Sequence, residues 1–252
     1  MAKSVLTNAA PRKIAAEIIA RLEAGADPVR AAGARRYFKE QVEFYGLTAP
    51  QMRAICGEFH NRLKKSWTLD EAMALCEILL PGKKFEAKAT SILLLLKFKK
   101  EFSRETFCRI KAWLAADYCD NWAAVDVLCP EGLGFLLDRN PALVENMKTW
   151  TVHPNRWVRR ASIVAFVPLA RRGKYLDAAY DIGRRMFATD DDLLQKATGW
   201  MIREAGKTDM PRLEEFLLKH GPAIPRTTLR YAIERFPEAS RKRLLAATKK
   251  AR

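Results

Sequence analysis

The chain lacks the features that mark secreted and membrane proteins. Residues 1–10 have neither the basic start nor the apolar core of a signal peptide, so we do not expect secretion. The longest apolar candidate for a membrane segment is Ser91 to Leu96, whereas a span requires about 18 consecutive apolar residues. The sequence therefore predicts a cytoplasmic protein with no membrane segment.

Metal-binding patterns are also missing. The five cysteines are Cys56, Cys76, Cys108, Cys119 and Cys129. They show no Cys-x-x-Cys spacing and their number is odd, which is typical of reduced core thiols in a cytoplasmic protein. The three histidines are scattered and pair with no cysteine or carboxylate at the spacing of metal ligands. We predict no metal, no iron-sulfur cluster and no other cofactor.

Acidic residues are too few to balance the basic ones. Lys and Arg number 45 against 29 Asp and Glu, which gives a net charge of +16 and a pI of about 9.8. Such an excess favours a polyanionic partner, because each phosphate that a basic side chain neutralises releases counterions. Nucleic acid is the leading class of partner. A ribosomal protein, or a basic protein with no such partner, would explain the charge as well.

No strand pattern competes with the helical one. Apolar residues recur at spacings of three and four, and Gly or Pro separates the segments. Pro50 and Pro211 lie where helices are expected to begin, since the first turn tolerates proline. The predicted helices include Arg12 to Leu22, Ala49 to Asn61, Leu69 to Leu79, Phe85 to Phe98, Arg104 to Ala116, Arg156 to Ala170, Lys174 to Phe187, Leu193 to Glu204 and Arg212 to His220.

A short signature recurs with a period of 36 residues. Lys88, Arg160 and Lys196 each precede an alanine and a hydroxyl residue, at spacings of two periods and one period. Two helices per repeat indicate an all-α, HEAT-like solenoid, which we predict as a single domain over residues 1–252. The basic residues of the signature favour a concave basic groove, although an ordinary solvated helix face would also explain them.

One position breaks the repeat pattern. The missing copy of the signature begins at Ala124, and it places Asp126 where the other repeats have Thr90, Ser162 and Thr198. Packing between repeats explains small hydroxyl side chains, but it gives no reason for an acid among them. Asp126 is therefore the first candidate for chemistry.

Two tryptophans are also exceptions in their repeat columns. Trp122 lies four residues before Asp126, so both side chains share one helix face. Trp200 replaces aliphatic residues in its column and shares a face with Arg203. A core role is the alternative for Trp200, and a plain surface charge is the alternative for Arg160, whose guanidinium would suit a phosphate.

Five groups of residues together resemble a known family. They are Tyr37-Phe38-Lys39 with Phe44-Tyr45-Gly46-Leu47; Asn121-Trp122 with Val125-Asp126; Trp157-Val158-Arg159-Arg160-Ala161; Lys196-Ala197-Thr198-Gly199-Trp200 with Arg203-Glu204; and Pro225-Arg226-Thr227-Thr228-Leu229-Arg230-Tyr231-Ala232. In this order and spacing the sequence is similar to the AlkD-type alkylpurine DNA glycosylases. The resemblance runs from about residue 30 to residue 238.

The resemblance implies a HEAT-like solenoid that wraps double-stranded DNA and removes cationic N3- or N7-alkylated purines. It implies that Trp122 and Trp200 form the aromatic pair at the lesion, and that Asp126 is the catalytic carboxylate. Arg160 and Arg203 would hold the DNA backbone. The further DNA contacts that we expect are Lys88, Lys196, Arg226, Arg230 and Tyr37. The enzyme would be a monofunctional hydrolase acting as a monomer, associated with the nucleoid when bound to DNA.

Two other functions stay open from the sequence. A non-catalytic HEAT-like module for bent or branched DNA would keep the basic groove but would not need Asp126. A protein-interaction scaffold, a frequent use of helical solenoids, predicts neither a basic column nor paired tryptophans. Release of a free base from methylated duplex DNA would separate the enzyme from both alternatives.

Overall fold

The computed structural model describes residues 9–249, and its regular structure is helical. The α-helices are α1 (Ala9–Glu23), α2 (Pro28–Arg35), α3 (Ala49–Leu63), α4 (Leu69–Leu79), α5 (Phe85–Leu95), α6 (Arg104–Ala115), α7 (Trp122–Leu128), α8 (Leu133–Arg139), α9 (Leu143–Trp150), α10 (Arg156–Val164), α11 (Val167–Ala170), α12 (Leu176–Arg185), α13 (Asp192–Gly206), α14 (Met210–His220), α15 (Arg226–Ala232) and α16 (Glu238–Ala247). Short 3₁₀ helices cover Leu96–Glu101, Met186–Ala188 and Gly221–Ala223. Residues 9–249 contain no strand, so the predicted all-α class is confirmed.

Local sequence signals fix several of these helix starts. Thr48 and Thr68 each form a capping box, with Gln51 and Glu71 respectively, and Pro50 lies in the first turn of α3. Each cap satisfies backbone N–H groups that have no partner within the helix, which stabilises it by about 1 kcal/mol. The predicted bounds of α4 therefore agree with the structure at both ends.

Two of the differences between the predicted helices and the structure have a local backbone cause. The helix expected over Arg156 to Ala170 is interrupted between α10 and α11, where Pro168 has no N–H to donate to the carbonyl of Val164. The helix expected from Lys174 begins only at Leu176, because Tyr175 has a left-handed backbone with a φ of 54°. In both places local backbone chemistry overrides the apolar periodicity.

The chain divides into two compact units, Met1–Leu128 and Cys129–Arg252, of which the structure describes residues 9–128 and 129–249. In the first unit α5 is central and packs against α3, α4 and α7. Nearly every residue of α5 is buried, as expected for a helix that is covered on all sides. The prediction of one domain over residues 1–252 stays a prediction.

The second unit is organised around α13. This helix packs against α10, α11, α12, α14 and α15. The approach of α15 depends on Gly199, where an added Cβ atom would lie 2.6 Å from the carbonyl oxygen of Thr228. Thr228 in turn donates a hydrogen bond of 3.0 Å from Oγ1 to the carbonyl of Gln195. A residue larger than glycine at position 199 would therefore push the two helices apart.

The repeat signature recurs on four helices that are not consecutive in the chain. Its four copies lie on α5, α7, α10 and α13, and the alanines Ala89, Ala161 and Ala197 are buried. Small residues at these positions let neighbouring helices approach closely. The period of 36 thus corresponds to real helical repeats, whereas the concave basic groove stays a prediction.

One of the five cysteines does not lie in the core, contrary to the prediction of core thiols. Cys56, Cys76, Cys119 and Cys129 are buried, and burial raises the pKa of Cys119 to about 12. Cys108 is exposed, because it lies beside the apolar stripe of α6 that faces the core. Among the described residues, the helices are all too short or too polar to cross a bilayer.

Candidate DNA interface and active site

The start of α7 is held by a chain of polar contacts within the first unit. Asn121 is fully buried, and its Oδ1 accepts a hydrogen bond of 2.9 Å from the backbone N–H of Ala124. Its Nδ2 donates to Oδ1 of Asp120 at 3.0 Å. Lys88 Nζ donates to the same oxygen and to the carbonyl of Tyr118, each at 2.8 Å. These contacts join α5 to the first turn of α7.

Lys88 was predicted from the sequence to contact DNA, but the structure places its side chain in the interior. Its side chain is 1% exposed, and its ammonium is engaged by Asp120 and the Tyr118 carbonyl. Asp120 remains 41% exposed, so the pair lies with its acidic member toward solvent. The Lys88 ammonium is therefore already bonded within the protein, and its contacts connect α5 to the segment just before α7.

Asp126 and Trp122 lie one turn apart on α7, and both are partly exposed. The residues equivalent to Asp126 behave differently. Ser162 and Thr198 are buried, and each donates its hydroxyl proton to a carbonyl of its own helix, Arg159 or Leu194, at 2.7 and 2.8 Å. At this position of the repeat, Ser162 and Thr198 are buried hydroxyl residues, whereas Asp126 is an acid that is partly exposed.

Trp122 is one wall of an aromatic pocket in the first unit. Phe38 stacks on its ring, with centroids 4.9 Å apart and an interplanar angle of 13°. Phe44 and Phe85 pack against Phe38 at 5.2 and 6.4 Å. Tyr37, which is 80% exposed, lies at the same pocket. The structure thereby brings together Trp122 and Tyr37, two predicted site residues that are 85 positions apart in the sequence.

In the second unit, α13 carries three predicted site residues. Lys196, Trp200 and Arg203 follow one another at spacings of four and three, so they share one helix face, and all three are partly exposed. A hydrogen bond to Asp192, at 2.8 Å, raises the pKa of Lys196. Arg203 is paired with Glu234 and lies 3.6 Å from Glu204.

Arg160 links two helices of the second unit. It is 5% exposed, and its Nη1 donates a hydrogen bond of 2.7 Å to the carbonyl of Leu193 in the first turn of α13. Arg156, four residues earlier, pairs with Asp191 at 2.9 Å, where Asp191 caps α13. These contacts hold the start of α13 and leave little of the Arg160 guanidinium accessible to solvent.

The arginines of α15 are more accessible. Arg226 is exposed and donates to Thr248 Oγ1 at 3.2 Å and to the carbonyl of Leu245 at 3.1 Å. Arg230 is exposed, and its side chain forms no ion pair or hydrogen bond within residues 9–249. The approach of α15 to α13 therefore places basic side chains on the helix next to Trp200.

Sequence reasoning missed a buried acid beside Arg203. Glu204 is 2% exposed and pairs with Arg171 at 2.7 Å and with Lys207 at 2.6 Å. Burial alone would raise its pKa, but hydrogen bonds from Lys207 and Arg171 outweigh burial, so the pKa of Glu204 is lowered. The only signal in the sequence was its position next to Arg203 in a motif.

A family model of DNA alkylation repair enzymes matches residues 18–236, most of the chain. The chain belongs to the DNA alkylation repair enzyme family. Membership gives it a role in DNA repair as an enzyme, with DNA as the substrate. The resemblance found in the sequence is thereby confirmed at the level of the family.

A solved structure supports the same fold for this DNA alkylation repair family member. It is described as a predicted DNA alkylation repair enzyme from Enterococcus faecalis. The two chains are 20% identical, the TM-score is 0.74, and the match covers 84% of this chain and 97% of the other. At that identity the likeness concerns the fold alone. No curated protein sequence gives a significant match to this chain.

Proposed function

We propose that this chain is a monofunctional DNA glycosylase. It would hydrolyse the N-glycosidic bond of cationic N3- or N7-alkylated purines in duplex DNA and leave an abasic site. The observation that carries the proposal is the arrangement of α7. Hydrogen bonds of Lys88 and Asn121 hold the start of this helix, and Asp126 lies one turn after Trp122 on it. Membership in the DNA alkylation repair family supports DNA as the substrate of this chemistry. We also propose that the protein is a monomer in the cytoplasm and that it is associated with the nucleoid when it is bound to DNA.

Hydrolysis of this bond requires a negatively charged carboxylate near the sugar rather than a general acid that protonates the base. Alkylation at N3 or N7 makes the purine a cation and so a good leaving group that does not need to be protonated. As the bond to the base stretches, C1′ of the sugar becomes positive. Asp126 would stabilise that charge and orient or deprotonate the attacking water. The negative charge of Asp126 is therefore the property that matters.

The two tryptophans would select the charged base. The face of an indole ring attracts a cation by about 0.5–2 kcal/mol. Trp122 is fixed by stacking on Phe38, which reduces the freedom that it would lose on binding. Trp200, on α13, would make the same kind of contact with the cationic base.

DNA backbone contacts would come from basic side chains that are at least partly exposed. The proposal assigns phosphates to Lys196, Arg203, Arg226 and Arg230, and a contact with the duplex to Tyr37. Arg160 would act mainly by orienting α13, because its guanidinium is buried and bonded to the Leu193 carbonyl. Lys88 has no contact with DNA in this proposal.

The residues at α7 support a single hydrolytic step. A bifunctional enzyme needs an accessible amine as a nucleophile. Lys88, the lysine that contacts the start of α7, is buried and already bonded to Asp120 and Tyr118. This arrangement supports an enzyme that uses water and leaves the abasic DNA strand uncut.

The test is the release of free 7-methylguanine from a methylated duplex under single-turnover conditions. Asp126→Asn should lower the rate by about 10²-fold or more, as expected on losing a positioned electrostatic or general-base group. DNA binding and helical content should stay unchanged. Asp190→Asn is the matched control, because Asp190 is exposed in the second unit and loses the same charge.

Two results would contradict the proposal. Full activity of Asp126→Asn would remove Asp126 from the mechanism. If the wild-type chain binds the methylated duplex but releases no base, the protein is a DNA-binding module and not a glycosylase.

A further inference from the structure

The second unit carries a cavity that the proposed function uses only through Arg226. It lies where the 3₁₀ helices Met186–Ala188 and Gly221–Ala223 approach the start of α15 and the end of α16. Its volume is about 470 Å³, within the range of about 300–1,000 Å³ that is usual for ligand pockets. Its lining is apolar at Phe187 and residues 222–225 and polar at Arg226, Thr248 and Lys249.

The polar part of this lining is positively charged. Among residues 9–249 no carboxylate lines the cavity, and neither Arg226 nor Lys249 forms an ion pair there. Arg226 donates its hydrogen bonds to neutral oxygens, Oγ1 of Thr248 at 3.2 Å and the carbonyl of Leu245 at 3.1 Å, and Lys249 is exposed. Two positive charges without a negative partner therefore border an apolar surface, so a complementary ligand carries negative charge.

Aromatic rings extend the apolar surface beyond Phe187. The ring centroid of Phe187 lies 5.8 Å from that of Phe216 and 5.9 Å from that of His220, and all three side chains are partly exposed. Burial, and then the charges of Lys219 and Arg184, lower the pKa of His220. Its ring is therefore neutral at about pH 7.5, and cations lie beside this cluster as well as in the cavity.

We propose that the cavity and the adjoining rings bind the C-terminal end of another protein, an acidic segment whose last residue is apolar. The terminal carboxylate would accept charge-assisted hydrogen bonds from Arg226 and Lys249. The side chain of the same residue would lie against Phe187 and residues 222–225, and the preceding acidic side chains would lie near Lys219. Capture of a C-terminal carboxylate is a recurring mode of peptide recognition.

Charge argues against two other occupants from this chain. A second copy carries a net charge of +16, and residues 250–252 are Lys, Ala and Arg, so both would bring positive charge to a positive surface. A DNA phosphate would match Arg226 and Lys249 but would leave the apolar lining exposed to water. An occupant that is both anionic and apolar therefore matches the whole surface.

The experiment measures binding of a fluorescein-labelled peptide to the full chain by fluorescence anisotropy. The peptide is a run of aspartates followed by a C-terminal phenylalanine, and the buffer is at about pH 7.5 with about 0.15 M salt to screen non-specific attraction. No DNA is added, because the proposed function assigns a phosphate to Arg226 and a duplex would compete for that guanidinium.

Two comparison peptides each differ from the first at one group. One ends in an amide instead of the carboxylate, and the other ends in alanine instead of phenylalanine. We expect each change to weaken binding by about tenfold, which is equivalent to about 1.4 kcal/mol. Equal affinity for all three peptides, or no binding of the first, would overturn the proposal.

A lysine variant places the terminal carboxylate at the cavity. Lys249→Gln should weaken binding of the carboxylate peptide by about threefold to tenfold and should affect the amide peptide less, because the lysine would contact the terminal charge. Lys242→Gln is the matched control, since Lys242 is an exposed lysine of α16 outside the cavity. An equal effect of Lys249→Gln on both peptides would contradict carboxylate capture.

A ring variant places the apolar side chain. Phe187→Ala should weaken the peptide that ends in phenylalanine by about tenfold, whereas Phe135→Ala, a change at a partly exposed ring of α8, should leave its affinity unchanged. Wild-type affinity in a folded Phe187→Ala variant would refute the proposal. If Phe187→Ala lowers the helical content, Lys249→Gln decides, because its side chain is exposed.

Other occupants would give different results on the same preparations. A dimer in sedimentation that Phe187→Ala abolishes would identify a second copy as the occupant and overturn the proposal. Excision of 7-methylguanine by Lys249→Gln should equal that of wild type, and a loss would assign Lys249 to the DNA surface instead. Selective peptide binding by a chain that excises no base would support this inference and refute only the glycosylase.

Discussion

Lys88→Met and Lys196→Met form a pair of changes that separates a structural lysine from a DNA-binding one. Both lysines begin the same repeat signature, three periods of 36 residues apart. Lys88 is buried against Asp120 and Tyr118, whereas Lys196 is 41% exposed and pairs with Asp192 on its own helix. Methionine is also unbranched but lacks the terminal ammonium, so each change removes the charge and its hydrogen bonds and keeps most of the apolar part of the side chain.

The expected loss of stability follows from the contacts. Lys88→Met deletes two charge-assisted hydrogen bonds, and removing one partner of a fully buried pair costs about 3–5 kcal/mol. Asp120 is 41% exposed and can be rehydrated, so we expect a smaller loss of about 2–3 kcal/mol in the free energy of unfolding. Lys196→Met deletes one exposed pair four residues apart, which contributes about 0.3–0.5 kcal/mol.

For DNA binding we expect the larger effect from Lys196→Met and not from Lys88→Met. Each phosphate contact adds about 0.9 to the slope of log affinity against log salt. We expect Lys196→Met to make that slope shallower by about 0.9 and Lys88→Met to leave it unchanged. Denaturant unfolding and salt-dependent binding to one duplex measure both effects. Wild-type stability with a shallower salt slope in Lys88→Met would refute the structural role and return Lys88 to the DNA surface.

The remaining predictions concern the tryptophans and one buried acid. At Trp122 and Trp200, Trp→Leu should lower excision of 7-methylguanine by roughly 2- to 30-fold, and Trp→Phe should lower it less, because phenylalanine keeps an aromatic face. Equal rates for the two variants would contradict cation selection. Efficient release of neutral uracil or hypoxanthine by the wild-type protein would contradict it as well. Glu204→Gln should lower the free energy of unfolding by about 1–3 kcal/mol near neutral pH. Since the folded-state pKa of Glu204 is lowered, its contribution is present above the ordinary value of 4.5 and is lost as pH falls through the folded value, so the two proteins should converge in acid. A difference that persists undiminished at about pH 3 would show that the charge of Glu204 is not its source.

The sequence determined the helices and the exceptional residues. Apolar spacing located α3, α4 and α6 to within two residues, because each has a single buried stripe and an N-terminal capping signal. The repeat column isolated Asp126, since the other copies carry small hydroxyls that the structure buries. Pro168 is a signal in the sequence for the break between α10 and α11, because it cannot donate a helical hydrogen bond.

Only the tertiary structure decided what the repeated positions do. Lys88 and Lys196 are alike in sequence, but the residues that Lys88 contacts come from 30 and 32 positions further along the chain, and they bury one lysine and not the other. The aromatic pocket joins Phe38, Phe85 and Trp122, which no local spacing relates. Periodicity reports which face of a helix is apolar, whereas burial of a charge and convergence of rings depend on which distant helix packs against that face.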